Sequence, residues 1–532
     1  MKLPMGIGMN RFGLGLILCI CFLAGCKGGF SSQTAATKKK NVLRLATPQI
    51  TKIDPATISD IPMMELMQNV FEGLVIIDEN NQIQPNLAES WTLSKDGRTY
   101  TFKIRKGVKF HNGREMTAHD VKYSIERETN PALPSQTAPL TYQYVVGAAA
   151  KMSRKASEIS GLKVIDDYTI SITIDEPRPY FLTNLTGGVV AKEVAPYDKE
   201  IWSVAGMVGT GAFKASRFEA DQLLELVPNP EYWNGAPKLD GIRVVQIKES
   251  ITRVNKFKKD ELDLIQIEKG DAEALRKDPL YRDQIVVYGR TGLSFLGFNL
   301  KLPPFTDKRV RQAFSCAIDR ERLCTEMLAG NNKPAYSIVP PETGSHRSGS
   351  MGYVFDPARA RKLLAAAGFP GGAGFPQVTL NFDGTSSDSA TISDAIVTDL
   401  RVNLGIKATT KQLPFQTFID QIGKKELAMF SIGWVGDIDP QSFFGTLLSD
   451  KGLEPFGFRD KQFNAMVQQA GTFTGPAADR MRLYNEAEDI VLEEVPLVPL
   501  WYSSVLRLVS PHVKGLQRSA SGDLPYKNVR IE

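Results

Sequence analysis

The stretch SIGWVGDIDPQSFF, Ser431 to Phe444, sets two carboxylates, Asp437 and Asp439, among Trp434, Ile438, Phe443 and Phe444. An ionised carboxylate taken out of water costs several kcal/mol unless it is paired. Each acid therefore needs a cation within the fold or one that arrives as ligand. Asp439, directly before Pro440, reads as the maker of a turn. Paired acids also serve glycosidases as acid and base, but two aspartates spaced by two are too common to carry that assignment.

Other chemistry has little material. The histidines are His111, His119, His346 and His512. Those at 111 and 119 read as polar residues of a turn and a helix start rather than as metal ligands. The sequence contains no nucleophile elbow, zinc-protease helix, phosphate loop or dinucleotide fingerprint. Cys316 and Cys324, eight residues apart in RVRQAFSCAIDRERLCTEMLAG, would stand about 12 Å from each other on one helix, beyond disulfide reach. A break at Asp319 would change that distance, so buried free thiols are the favoured reading and a pair stays open. No cofactor or metal is expected.

The elements that must position these residues follow from periodicity. NVLRLAT reads as a strand, MMELMQNVFEGL as a helix, and GRTYTFKIRKGVKFHNG and GLKVIDDYTISITI as hairpins flanking the helix TAHDVKYSIERE. Strands recur around Gly and Pro from GMVGTGAFKASRF to DGIRVVQI. After them, ITRVNKFKKDELDLIQI, GLSFLGFNL, DPARARKLLAAAG, QVTLNFDG, SDAIVTDLRVNLGIKATTKQL and FQTFIDQIGKKELAMFSIGW alternate helix and apolar strand. The tail RMRLYNEAEDIVLEEVPLVPLWYSS is a helix running into a strand. The pattern is α/β with a smaller β-rich part near residues 98–175.

At 532 residues, with 42% hydrophobic and 23% charged residues, the chain has material for two or three lobes. The formal charge of +5 comes without a basic, aromatic-laced stripe, so nucleic acid is not an expected partner. At the N-terminus, Lys2 and Arg11 precede the apolar run FGLGLILCICFLAG, Phe12 to Gly25, which is shorter than the roughly 20 residues a spanning helix needs. Its end, LAGC, resembles a bacterial lipobox, which implies a signal peptide at 1–25 and lipidation of Cys26. KGGFSSQTAATKKK then reads as a flexible tether at 26–40.

The motifs FEGL, PNLAESWTLSKDGRTYTFKIRKGVKFHNGREMTAHDVKYS, VGTGAFK, NPEYWNGAPKLDGI, PPFTDKRVRQAFSCAIDRERL, FDPARARKLLAAAGF and GWVGDIDPQSFF occur in this order. Together they closely resemble the family 5 solute-binding proteins that serve dipeptide and oligopeptide ABC importers, over nearly all of the chain from residue 41. The resemblance implies a type II periplasmic-binding-protein-like α/β fold. Lobe I would comprise 41–74, 195–288 and 500–532, the extra β-rich domain 75–194 and lobe II 289–499, with a hinge between the lobes. It further implies an extracytoplasmic, membrane-tethered monomer that performs no chemistry and hands a peptide or other amine-bearing solute to a permease with ATPase subunits.

Carried over residue by residue, Asp437 would hold the ligand's ammonium, and Trp434 would wall the same pocket; the alternatives are that Asp437 caps a turn or helix and that Trp434 is core. Gly297, Phe298 and Asn299 would offer backbone to an extended ligand. Ser59 and Ile61, in the loop TISDI, would face them, and Tyr502 would line the hinge side. Some oligopeptide binders carry an arginine two residues before the GW glycine, where this chain has Ser431; that departure weakens the case for short peptides of fixed length. An oligosaccharide, a nickel complex or haem is the alternative ligand, with Trp202, Trp233, Trp434 and Trp501 available as sugar platforms, and a hydrolase is a third reading.

Overall fold

The computed structural model describes residues 41–532 except 51, 134, 344, 350, 351, 385–387, 520 and 521. The signal-peptide, lipidation and tether expectations, including Cys26, lie outside the described residues. Among the described residues no helix is long and apolar enough to cross a membrane.

Two long strands organise the rest. Ile285–Phe298 and Leu497–Val509, 14 and 13 residues, run antiparallel through both lobes, each about 45 Å long at ~3.3 Å per residue. Their far ends carry different neighbours. In the second lobe Gly292–Phe298 pairs with Met429–Val435, which continues to Val378–Asp383 and Ala408–Leu413. In the first lobe Arg507–Val509 pairs with Leu264–Gln266, which continues through Val42–Thr47, Gly241–Gln246 and Leu223–Pro228 to Phe213–Glu219. One sheet of eleven described strands results.

Between the lobes the two long strands lose register. Gly289 faces Ser504 and Leu293 faces Tyr502, so three residues oppose one, and a second slip follows between Ser294 and Phe295. Extra residues on one strand interrupt the ladder and bend it. A Cβ at Gly292 would stand 2.6 Å from Ser503 Oγ, so the chain passes closely there. Arg290 and Thr291 lie in this break.

Helices cover the sheet: Ile61–Met67 and Ser250–Lys258 in the first lobe, and Lys308–Ala317, Pro357–Ala366, Ser389–Leu404 and Ala477–Glu494 in the second. The first stops seven residues short of the helix expected through Leu74, because tighter bonds from Asn69 N to Leu66 O and Val70 N to Met67 O end it. The helix bearing Cys316 stops at Ala317, and Asp319 caps a new turn by accepting from Arg322 N. Cys316 and Cys324 are both buried and free.

The smaller domain is a four-stranded antiparallel sheet, in the order Ala88–Leu93, Thr99–Ile104, Thr169–Thr173, Leu162–Asp166. One sequence expectation fails here: Thr99–Ile104 pairs with Ala88–Leu93, not with the segment after it, and Lys109 and Glu115 form only an isolated bridge. The β-turn Ser94–Gly97 lies before the strand, so the hairpin closes on that side. The helix Ala118–Glu128 starts from a capping box of Thr117 and Asp120, and Asp120 also accepts two bonds from Arg114, 2.9 and 2.7 Å.

Near its end that helix carries Arg127, whose guanidinium donates to both oxygens of Asp54, 2.8 and 2.5 Å, with each side chain 1% exposed. Arg127 also donates to the Pro196 and Lys199 carbonyls, and Asp54 accepts from Ile201 N and Ala56 N. The fully bonded pair joins the small domain to the first lobe. Arg127→Ala leaves Asp54 buried and unpaired, so urea unfolding should show a loss of about 3–5 kcal/mol. A loss below about 1 kcal/mol would contradict a joining role for the pair.

Candidate functional site

A cavity of about 640 Å³ opens where the lobes, the small domain and the strand break meet. The helix Ile61–Met67 and the following Gln68–Glu72 form one wall. Val75–Ile77 and Thr183 of the small domain form another, Arg290 and Thr291 the base, and Val435–Ile438 the wall from the second lobe. This volume suits a small-molecule or short-chain ligand. A hollow of about 420 Å³ at one sheet edge, along Gly384 and Gln412–Phe415, holds no ionisable side chain among the described residues.

Asp437 reaches this cavity from the loop after the strand Met429–Val435. Thr291 grips that loop from both sides: its carbonyl accepts from Gly436 N at 2.7 Å and its hydroxyl donates to Gly436 O at 2.6 Å. Ser442 Oγ accepts from Asp437 N at 2.9 Å. The Asp437 carboxylate itself accepts from Ile438 N at 2.7 Å and has Thr183 beside it, whose hydroxyl donates to Tyr180 O at 2.8 Å. Among the described residues it forms no ion pair. Burial pushes its pKa above the ordinary carboxylate value, against the pull of Thr183 and the Ile438 N–H, while Asp439 adds to the rise.

Asp439, two residues on, is the opposite case. Arg480 donates to both its oxygens at 2.7 and 2.8 Å, and Gln441 N donates at 2.9 Å, so Asp439 is both turn-maker and ion-pair partner. Two acids in one loop thus have different roles. One holds the loop, and the other faces the cavity with no cation.

Four further charged groups line the cavity: Glu65, Glu72, Arg290 and Lys527, whose ammonium burial pushes down in pKa while Glu72 opposes the fall. Glu65 takes Arg290 on one oxygen and Arg507 on the other. Glu72 accepts from Tyr232 Oη at 2.6 Å, Thr210 Oγ1 at 2.8 Å and Trp233 Nε1 at 3.1 Å; burial raises its pKa and these bonds oppose the rise. Arg290 keeps a buried Nε with no acceptor among the described residues. Sequence reasoning passed over these groups. FEGL contains Glu72, and the signal for Arg290 was a charged residue between two glycines in an otherwise apolar strand.

The remaining expected site residues are dispersed. Ile61 lines the cavity, whereas the neighbouring Ser59 is exposed outside it. Trp434 precedes the lining stretch; its ring packs on the second-lobe core and its indole N–H donates to Ser442 O at 3.0 Å. Gly297, Phe298 and Asn299 do not reach the cavity. Gly297 is paired with Phe430 on one side and Leu497 on the other, so no free strand edge remains for an extended ligand. Phe298 stacks on Phe305 at 4.7 Å, and Asn299 donates to Lys425 O at 2.6 Å. Tyr502 is buried and donates to Ser337 O at 3.2 Å. The two candidate histidines stand apart. His111 accepts from Gly209 N and bonds Gly211 O, burial pushing its imidazole down to about 4, while exposed His119 lies 3.6 Å from Asp167.

The family model for bacterial extracellular solute-binding proteins, family 5 (middle), matches residues 82–454. The dipeptide-binding protein DppE of Bacillus subtilis is 26% identical, over 97% of this chain and 98% of its own. Heme-binding protein A of Haemophilus influenzae is 28% identical, over 87% of each chain. Among solved structures, the ABC transporter-associated periplasmic binding protein DppA of Helicobacter pylori, in complex with the peptide STSA, superimposes with a TM-score of 0.73 at 26% identity, covering 93% of this chain and 98% of that one. The named relatives are binding proteins.

The strain on Asp437 is measurable without ligand. Its folded pKa lies above the ordinary 3.8, so the penalty on folding is absent below that value and present once pH has risen through the folded pKa. Asp437→Asn should therefore raise the melting temperature of the ligand-free protein at about pH 7 and leave it unchanged near pH 3. A lower melting temperature at pH 7 would mean that the carboxylate already has a partner.

Proposed function

This chain belongs to the bacterial extracellular solute-binding proteins of family 5, and we propose that it captures peptides, or another amine-bearing solute, for an ABC importer. The observation that carries this reading is the Asp437 carboxylate, half-buried at the wall of the interlobe cavity with no cation paired to it among the described residues. A ligand ammonium brings the missing charge and three N–H donors. In a cavity from which water is excluded, that charge-assisted contact is far stronger than in bulk solvent.

Binding would favour the arrangement in which Val435–Ile438 and the first-lobe wall close on the ligand, bending at the Arg290–Gly292 break. The lobe limits we propose are 41–74, 195–288 and 500–532 for the first lobe, 75–194 for the small domain and 289–499 for the second. A permease with ATPase subunits would receive the solute from the closed form. No reaction is assigned: the reading is of a carrier, in line with the binding proteins it is similar to. The protein would act as a monomer, tethered to the membrane through a lipid on Cys26, as LAGC and the preceding apolar run support.

Isothermal titration with trialanine and N-acetyl-trialanine tests the assignment. Trialanine should bind, and blocking its amine or replacing Asp437 by Asn should each weaken binding by about 2–5 kcal/mol, or 30-fold and more. Equal affinity for the free and the acetylated peptide would remove Asp437 from the ligand site.

A further inference from the structure

A second hollow, about 260 Å³, branches from the main cavity and shares Met64, Gln68, Phe71, Thr137, Thr183 and Thr186 with it. Ile58 and Met67 complete an apolar side. The opposite side holds Glu128, the last residue of the helix Ala118–Glu128. Its carboxylate accepts from Tyr142 Oη at 3.1 Å and, weakly, from Thr137 Oγ1 at 3.4 Å. The adjacent Arg127 is committed to Asp54, and among the described residues no cation pairs with Glu128.

This arrangement is electrically lopsided. A helix C-terminus carries partial negative charge and favours a cation, yet here a carboxylate stands on it, facing a pocket and with Asp54 nearby. Burial pushes the Glu128 carboxyl up to about 7, with Asp54 raising it further and Tyr142, Thr137 and Arg127 opposing the rise. The pocket's shape completes the case. At ~30 Å³ for each water-sized group it has room for about eight, enough for four methylenes and an ammonium. The methylenes would lie along Met64, Met67 and Ile58, with the ammonium at the carboxylate.

We propose that this branch is a specificity subsite for a ligand group with an apolar stem and a terminal ammonium, such as a lysyl side chain, and that Glu128 is its counter-ion. The proposal rests on the reading that an amine-bearing ligand occupies the main cavity, and it adds a second, side-chain cation to the one at Asp437. Because the pairing needs Glu128 ionised, the preference for an ammonium over a methyl terminus strengthens as pH rises through about 7.

The test compares tripeptides of alanine carrying one lysine with the same peptides carrying norleucine, at each position in turn, by titration calorimetry on the full chain. At one position lysine should bind about tenfold tighter than norleucine at about pH 8, with the ratio shrinking at about pH 6. In Glu128→Gln the ratio should collapse to near one at both pH values. Gly187→Val supplies a second route: Gly187 lines the pocket, and a Cβ there would lie 3.6 Å from Tyr142 Oη and 3.8 Å from Glu128 Oε2. That variant should disfavour lysine and norleucine alike relative to alanine. A lysine preference that survives Glu128→Gln, or its absence from the wild-type protein while trialanine binds, overturns the subsite alone. Failure of every tripeptide, trialanine included, overturns the reading of the main cavity and the subsite with it.

Discussion

Thr291, in the wider break between the two long strands, clasps Gly436 through two hydrogen bonds, and the position of Asp437 depends on that clasp. The strands must cross between lobes, and they lose register where they do so. The unpaired backbone and side chain freed there bond to the loop of the second lobe instead. The same break that bends the sheet therefore sets the carboxylate at the cavity wall.

The loop is held independently of any ligand. Arg480 fixes Asp439, Ser442 accepts from Asp437 N, and the Trp434 indole donates to Ser442 O. Such support fixes the loop around Asp437, and among the described residues no cation pairs with that half-buried carboxylate. An unsatisfied charge is costly to the free protein and, for that reason, selective toward a ligand that supplies its complement. Glu65 and Glu72 show the alternative: both are buried at the same cavity and both are satisfied, one by two arginines and one by three neutral donors.

The α/β pattern, most helices and the two-lobe plan were legible because apolar periodicity and ordered motifs report on local structure and family together. Asp437 was legible for a simpler reason: a carboxylate in an apolar stretch demands a partner. What escaped depends on pairing between distant segments. Nothing in GFN reveals that Met429–Val435 and Leu497–Val509 occupy both its edges, and nothing in TYTFKIRKG reveals that its strand pairs backward with AESWTL. Arg290 and Thr291 likewise become site residues only through a register slip.

Native mass spectrometry of the protein as purified, followed by denaturation and identification of what is released, tests the account most directly. An amine-capturing cavity predicts a mixture of peptides or other primary amines in place of a single defined compound. Release of one sugar, metal complex or haem, with no amine-bearing species, would contradict it.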